Sequence, residues 1–153
     1  MVIRNVWLSV LVVSVALAGC SRPSKFVGTW ESQIFNATAR KIERKTFNPD
    51  KSYKNVVLLT TPLSKATLTA TDVGSWKAEG PDIYSAAITD TDWTPDGAAK
   101  NRLDAARKKF LADKSKLLDD AVQSNALVAV KWINNDAFSV QEGGAELTYH
   151  RVK

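Results

Sequence analysis

Few residues in this chain are equipped to do chemistry. Among its 153 residues Cys20 is the only cysteine and His150 the only histidine. His150 lies between Tyr149 and Arg151 near the C-terminus, where a structural or exposed role is expected. A metal site needs several converging N, S or O ligands, and no such set is expected here. Asp90, Asp92 and Asp96 form an acidic run beside Thr89, Thr91 and Thr94. A calcium loop would require a supporting glycine and a closing glutamate at fixed spacing. Gly97 is misplaced for that and no closing glutamate follows, so the run reads as a strand end and helix cap. No G-x-S-x-G elbow, phosphate loop or H-E-x-x-H helix is present, and nothing nominates the serine of a Ser/His/Asp triad. The expectation is a protein that is not an enzyme and carries no cofactor or metal.

Cys20 has a distinctive setting. Arg4 precedes an apolar run from Val6 to Ala18, broken only by Ser9 and Ser14, and the run ends in Leu17-Ala18-Gly19-Cys20. At about 13 residues it is short of the roughly 20 that a spanning helix needs. The segment resembles a bacterial lipoprotein signal peptide, whose Leu-x-Gly/Ala-Cys box it matches throughout. A plain secretory signal is the other reading of the same small residues. The resemblance implies cleavage before Cys20, a diacylglyceryl thioether on its sulfur, and fatty acylation (palmitate) of the freed amino group. Residues 1–19 are then signal peptide, 20–25 the acylated cysteine and a Pro23-containing tether, and 26–153 the domain. Ser21, by analogy with enteric bacteria, favours the outer membrane facing the periplasm. With its single cysteine acylated, the exported chain would hold no disulfide.

The remaining 134 or so residues suffice for one domain. The formal charge of +5 for the whole chain is dispersed. Its only dense cluster, Arg40 to Lys45, lacks the interleaved aromatic platform of a nucleic-acid binder, and no nucleic-acid partner is expected. The cluster reads as the solvated face of a strand, with attraction to anionic headgroups as the alternative.

Strand patterns dominate. They cover 26–35, 39–47, 53–61, 65–70, 73–79 and 83–93, with turn signals at Asn48-Pro49-Asp50-Lys51 and Gly80-Pro81-Asp82. Pro62 ends the third of them. From about 98 to 124 the pattern becomes helical. Leu103, Ala106, Phe110, Leu117 and Ala121 mark one apolar face; Lys100, Arg107, Lys108, Lys114 and Asp120 lie opposite. Thr94 or Asp96 would cap this amphipathic helix, with Pro95 in its first turn. Strands return at 127–133, 137–141 and 146–152, turning at Asn134-Asn135-Asp136 and Gly143-Gly144. About eight strands with short turns predict an antiparallel meander plus one long inserted helix.

Val27-Gly28-Thr29-Trp30 and Val73-Gly74-Ser75-Trp76 are echoes of each other. A glycine permits close approach of a neighbouring strand, and the tryptophan two residues on shares its face. Together with Phe47, Asp50 and Tyr53, and with Gly80-Pro81-Asp82-Ile83-Tyr84, these residues resemble the small lipocalin-like domains of bacterial lipoproteins. The likeness spans roughly 26–93. It departs where Lys51 replaces the turn glycine and in the late helix. It implies a mainly β fold, a lipocalin-like barrel or strongly curved antiparallel sheet, and no substrate. Trp30, Trp76 and Trp132 either fill such a barrel or line a cavity for a small apolar ligand. The expected function is that of a membrane-anchored envelope lipoprotein, non-catalytic, binding a protein partner through the helix or the Arg40–Lys45 strand. The alternative is a carrier or sensor of a small apolar ligand or lipid held near Trp30, Trp76 and Trp132.

Overall fold

The computed structural model describes residues 24–61, 65–123 and 127–153, with the side chains of 120–123 excepted. The signal segment, Cys20, Ser21, Pro23, Pro62 and the side chains of Asp120 and Ala121 therefore lie outside the described residues. Nine strands and one helix are found among the described residues: β1 (Gly28–Phe35), β2 (Arg40–Phe47), β3 (Ser52–Thr61), β4 (Ala66–Ala78), β5 (Ile83–Gly97), α1 (Lys100–Gln123), β6 (Leu127–Ala129), β7 (Lys131–Asn134), β8 (Ala137–Glu142) and β9 (Ala145–Arg151). They form a single antiparallel sheet in the order β6-β5-β4-β3-β2-β1-β9-β8-β7. The two strands at the ends of that order, β6 and β7, are separated in sequence only by Val130, so the sheet nearly closes into a barrel. The helix is not long and apolar enough to cross a membrane.

Up-and-down connectivity gives the barrel two ends. The N-terminal segment, the turns at 48–51, 79–82 and 134–136 and the C-terminus share one end, here called the base. The 36–39 turn, the β5–α1 connection and the Gly143-Gly144 turn mark the other, the mouth. The base is filled with aromatic rings. Phe26 is fully buried and meets Phe47, Trp76, Tyr84, Trp132 and Phe138 at centroid separations of 5.2–6.4 Å. Its carbonyl accepts a 2.7 Å hydrogen bond from Trp30 Nε1, and Trp76 Nε1 donates to the Asn48 carbonyl at 2.9 Å. Edge-to-face rings of this kind add to the large area each one buries.

The two glycines of the repeated motif answer different needs: Gly74 has no room for a side chain against the neighbouring backbone, and Gly28 has a positive φ of 134°. A Cβ on Gly74 would stand 1.9 Å from the Ala87 carbonyl oxygen, at a bulge between β4 and β5; one on Gly28 would meet the Arg151 guanidinium at 2.4 Å. The turn residue that replaces glycine, Lys51, has a positive φ of 71°. Its ammonium lies 4.5 Å from the Trp76 ring centroid, a cation–π contact that offsets part of the backbone strain.

Several sequence expectations need correction. The segments 65–70 and 73–79 are one strand, because the bulge at Val73/Gly74 bends β4 without ending it. Residues 94–97 belong to β5, so neither Thr94 nor Asp96 caps the helix. Pro95 is accommodated because β6 pairs only with Ile83, Tyr84 and Ser85. Beyond that point β5 is an edge, where a missing N–H is tolerated. The segment 127–133 is split at Val130, whose N–H turns to the Asp82 carbonyl.

The helix covers this free edge of β5, and its sheet-facing side differs from the expected apolar one. Leu103, Arg107, Phe110, Lys114 and Leu118 are half-buried, whereas Ala106, Leu111 and Leu117 are exposed. Phe110 meets Trp93 at 5.8 Å. Arg107 Nε donates to the Trp93 carbonyl at 2.8 Å and its guanidinium pairs with Asp92 at 3.2 Å; Lys114 pairs with Asp90. The acidic run is thus a docking strip for two basic residues that helical periodicity had assigned to solvent. An exposed β edge invites pairing with other chains, and α1 shields this one.

Two substitutions probe the scaffold. Phe26→Ala is expected to lower unfolding free energy by about 3–5 kcal/mol, measured by urea titration. Lys51→Gly should raise it by about 0.5–1 kcal/mol, because glycine adopts positive φ without strain; a loss instead would mean that the contact with Trp76 outweighs the strain.

Candidate functional site

The first turn of β2 outside the aromatic base sends charge inward. Alternation along Arg40–Phe47 leaves Arg40 and Arg44 exposed but turns Glu43, Lys45 and Phe47 into the barrel, where Glu43 is 4 % and Lys45 8 % exposed. The basic cluster is therefore solvated on one side only. Strand register explains the layering. Phe47 stands beside Tyr53, and Tyr53 beside Gly74, in the aromatic layer; one step towards the mouth, Lys45 stands beside Asn55, Asn55 beside Asp72, and Asp72 beside Thr91. A polar layer lies on an aromatic floor.

These groups border a cavity of about 370 Å³ at the mouth, lined by Glu43, Lys45, Asn55, Gln141 and Glu142 on its polar side and by Tyr53, Tyr84, Ala86, Ile88, Val128 and Val140 elsewhere. Glu43 is bracketed by two ammonium groups, with Lys41 at 3.0 Å and Lys45 at 3.3 Å. Lys45 also reaches towards Glu142 at 3.9 Å and sits 4.7 Å from the Tyr149 ring centroid. Thr91 Oγ1 donates to Asp72 at 2.7 Å, and Asn55 Nδ2 donates weakly to the same carboxylate at 3.4 Å. Three buried side-chain atoms lack a hydrogen-bond partner of acceptable geometry: Glu43 Oε2, which has the Lys41 ammonium 3.0 Å away, Tyr149 Oη, which lies beside the Glu43 carboxylate, and Asn55 Oδ1.

Ionisation follows from these neighbours. Burial by itself raises the Glu43 pKa, but the charges of Lys45 and Lys41 and their hydrogen bonds outweigh it and hold the carboxyl below its ordinary 4.5. Burial, then the fields of Glu43 and Glu142, push the Tyr149 phenol well above its usual range; Tyr53 and Tyr84 are raised as well, chiefly by burial. All three phenols are neutral hydroxyls at physiological pH. Among the described residues no group of three or more His, Cys, Asp or Glu side chains could hold a metal ion, and His150 is exposed on β9.

Trp30, Trp76 and Trp132 do come together, but around Phe26 in the base. Trp30 and Trp76 are buried at 0 % and 3 % exposure. Trp132 is half-buried, 5.7 Å from Trp30, and donates through Nε1 to the Pro81 carbonyl at 3.0 Å. None of the three lines the mouth cavity. Of the cavity's residues, Glu43 and Lys45 belong to the basic Arg40–Lys45 strand and Tyr53 and Tyr84 to the motif shared with lipocalin-like domains, whereas Asn55, Gln141, Glu142 and the aliphatic wall carry no sequence signal of their own. The available signal was a charged alternation in β2, Lys41-x-Glu43-x-Lys45, which puts three charges on one face of a strand whose next residue on that face is Phe47.

Glu43→Gln is expected to cost about 3 kcal/mol at neutral pH, since it leaves Lys45 buried with only the distant Glu142 as counter-charge. A depressed folded-state pKa contributes stability above 4.5 that disappears as pH falls through the folded value. The gap between wild type and Glu43→Gln should accordingly shrink below about pH 4.5 in chemical unfolding; a gap independent of pH would contradict this account.

No protein-family model matches this chain, and no curated protein matches it either, so the reading of the mouth cavity rests on its geometry.

Proposed function

We propose that this protein is a lipid-anchored binding protein of the bacterial cell envelope, with a lipocalin-like barrel, which holds its ligand at the mouth and does no chemistry on it. The observation that carries this reading is the unpartnered buried Asn55 Oδ1 of a residue that lines an open cavity. A buried polar atom without a partner costs about 1–3 kcal/mol, and a ligand that supplies the missing hydrogen bond recovers part of that. The chemistry argues for binding. The carboxylate and ammonium groups neutralise one another, and neither an activated nucleophile nor a free base faces the space.

The anchor reading rests on Leu17-Ala18-Gly19-Cys20. Phe26 is fixed in the base only six residues after Cys20, a span of about 20 Å at full extension. An acylated Cys20 would hold the base against the bilayer, with the mouth turned away from it. A wholly apolar ligand suits the cavity poorly, because it would cover Glu43, Lys45 and Asn55 without answering them. Docking of a protein partner is the second reading. It is favoured by the tip of the β1–β2 hairpin at the mouth rim, where Phe35 is 60 % exposed beside the half-exposed Ile34 and under the Arg40 guanidinium.

Metabolic labelling with a palmitate analogue tests the anchor. Wild type should take up label and sediment with membranes, and Cys20→Ala should do neither. Label in the variant, or its absence from wild type, would refute an acylated Cys20.

A further inference from the structure

We infer that the mouth cavity takes a neutral, hydroxyl-rich ring compound of the saccharide class, with the hydroxyl edge on the Lys45–Asn55 side and the C–H face on the tyrosine and valine wall. This rests on the binding reading above and names the class of ligand.

Charge comes first. Glu43 is already matched by Lys41 and Lys45, and Lys45 is shared with Glu142. An entering anion would face two carboxylates whose counter-ions are engaged; an entering cation would face the Lys45 ammonium and carboxylates that Lys41 and Lys45 already answer. Desolvating a charge that finds no partner costs several kcal/mol, so the internally paired cluster selects against both. A neutral ligand avoids that cost.

Hydrogen-bonding capacity comes second. Asn55 Oδ1, in the lining, can only accept. Glu43 and Glu142 have acceptor sites beyond their ion pairs, and the Gln141 amide at the rim offers both kinds of group. A hydroxyl is a neutral group that serves either role at a single atom, and several on one edge would answer this arrangement. The third element is the wall. Val128, Val140 and the ring faces of Tyr53 and Tyr84 are apolar surfaces without demand for hydrogen bonds. A polyol ring with a C–H face and a hydroxyl edge fits both sides, and 370 Å³ lies in the size range of small-ligand sites.

The cavity also has a side exit. Val128, Val140 and Gln141 line a second cleft of about 530 Å³, which runs between β6 and β8 along Leu127–Lys131 and Ser139–Gln141. There β8 has no described strand partner beyond Ser139 on that side. A free sugar would occupy the cavity only; the end of a longer glycan could continue out along this seam.

The test uses the acylated full chain in nanodiscs free of glycolipid, with saturation-transfer NMR on added probes. These are methyl glucoside, methyl N-acetylglucosaminide, a β-linked N-acetylglucosamine tetramer, putrescine and citrate. At least one methyl glycoside should receive saturation, weakened about fivefold to tenfold by Asn55→Leu, the size of one lost neutral hydrogen bond, and unchanged by Lys108→Ala on the exposed helix face. Tighter binding of the tetramer, reduced by Leu127→Asp in the seam, identifies a glycan chain; equal binding identifies the free sugar. Should Asn55→Leu fail to fold by circular dichroism, Glu142→Ala at the half-exposed rim replaces it. Saturation of putrescine or citrate that is sensitive to Asn55→Leu, with none for the sugars, would overturn the saccharide class and leave the binding reading standing. If no probe of any class responds to either variant, both fall.

Discussion

The fold depends on one ring. Phe26 sits where the chain enters the domain, yet it contacts aromatic side chains from β2, β4, β5, β7 and β8. Those strands are distant in sequence, and their hydrogen-bond ladder does not close: β6 and β7 end the sheet order without pairing with each other. Closure at the base is therefore a matter of packing. Phe26 occupies the space on which the strands converge, and its carbonyl fixes Trp30, the first large residue of β1. Arg151 ties the C-terminus to the same place, donating to the Val27 and Lys25 carbonyls and lying 4.1 Å from the Trp30 ring centroid. A segment that could pass for the end of a tether is in this way the plug of the barrel.

Filling the base with rings leaves the other end free for polar groups. The side chains that point inward change from Phe47 and Tyr53 to Lys45 and Asn55 within a single step of the register. The aromatic layer below excludes water and lowers the local effective dielectric constant, which strengthens each charge pair above it and makes unanswered groups costly. The buried Glu43 between two lysines is tolerated on these terms: removing either sign would leave the other without support. The same physics that makes the layer a liability for stability makes it selective for what may enter.

The helix belongs to the same economy of exposed edges. Once β6 leaves β5 after three pairs, the upper part of β5 has no strand neighbour on the side away from β4 among the described residues. A helix that donates through Arg107 to a β5 carbonyl and places Phe110 on Trp93 covers that edge. Its weak amphipathic pattern makes sense in this setting. Contact with an edge that carries carboxylates calls for a mixed stripe, Leu103, Arg107, Phe110 and Lys114, where a sheet face would call for an apolar one.

The elements were legible in the sequence because local periodicity fixes them: period-two alternation, Asn-Pro-Asp and Gly-Pro-Asp turns, and a long stretch free of glycine and proline. The paired Gly-x-Trp motifs announced close strand approaches, which Gly74 makes against Ala87. What alternation does not reveal is which of its two faces is inside once both carry polar residues. On β2 the tertiary structure settled it: Phe47 belongs to the base, and the pleat then carries Lys45 and Glu43 inward with it. Likewise no local signal could join the carboxylates of β5 to Arg107 and Lys114, or collect Trp30, Trp76 and Trp132 around Phe26, since those contacts exist only after the sheet has curled. Sequence alone determined the succession of strands through short turns, the one late helix and the scarcity of candidate catalytic groups; the closing of the sheet decided the β1–β9 pairing and where the unpaired polar atoms lie, because burial and the loss of water are properties of the whole barrel and of no single strand.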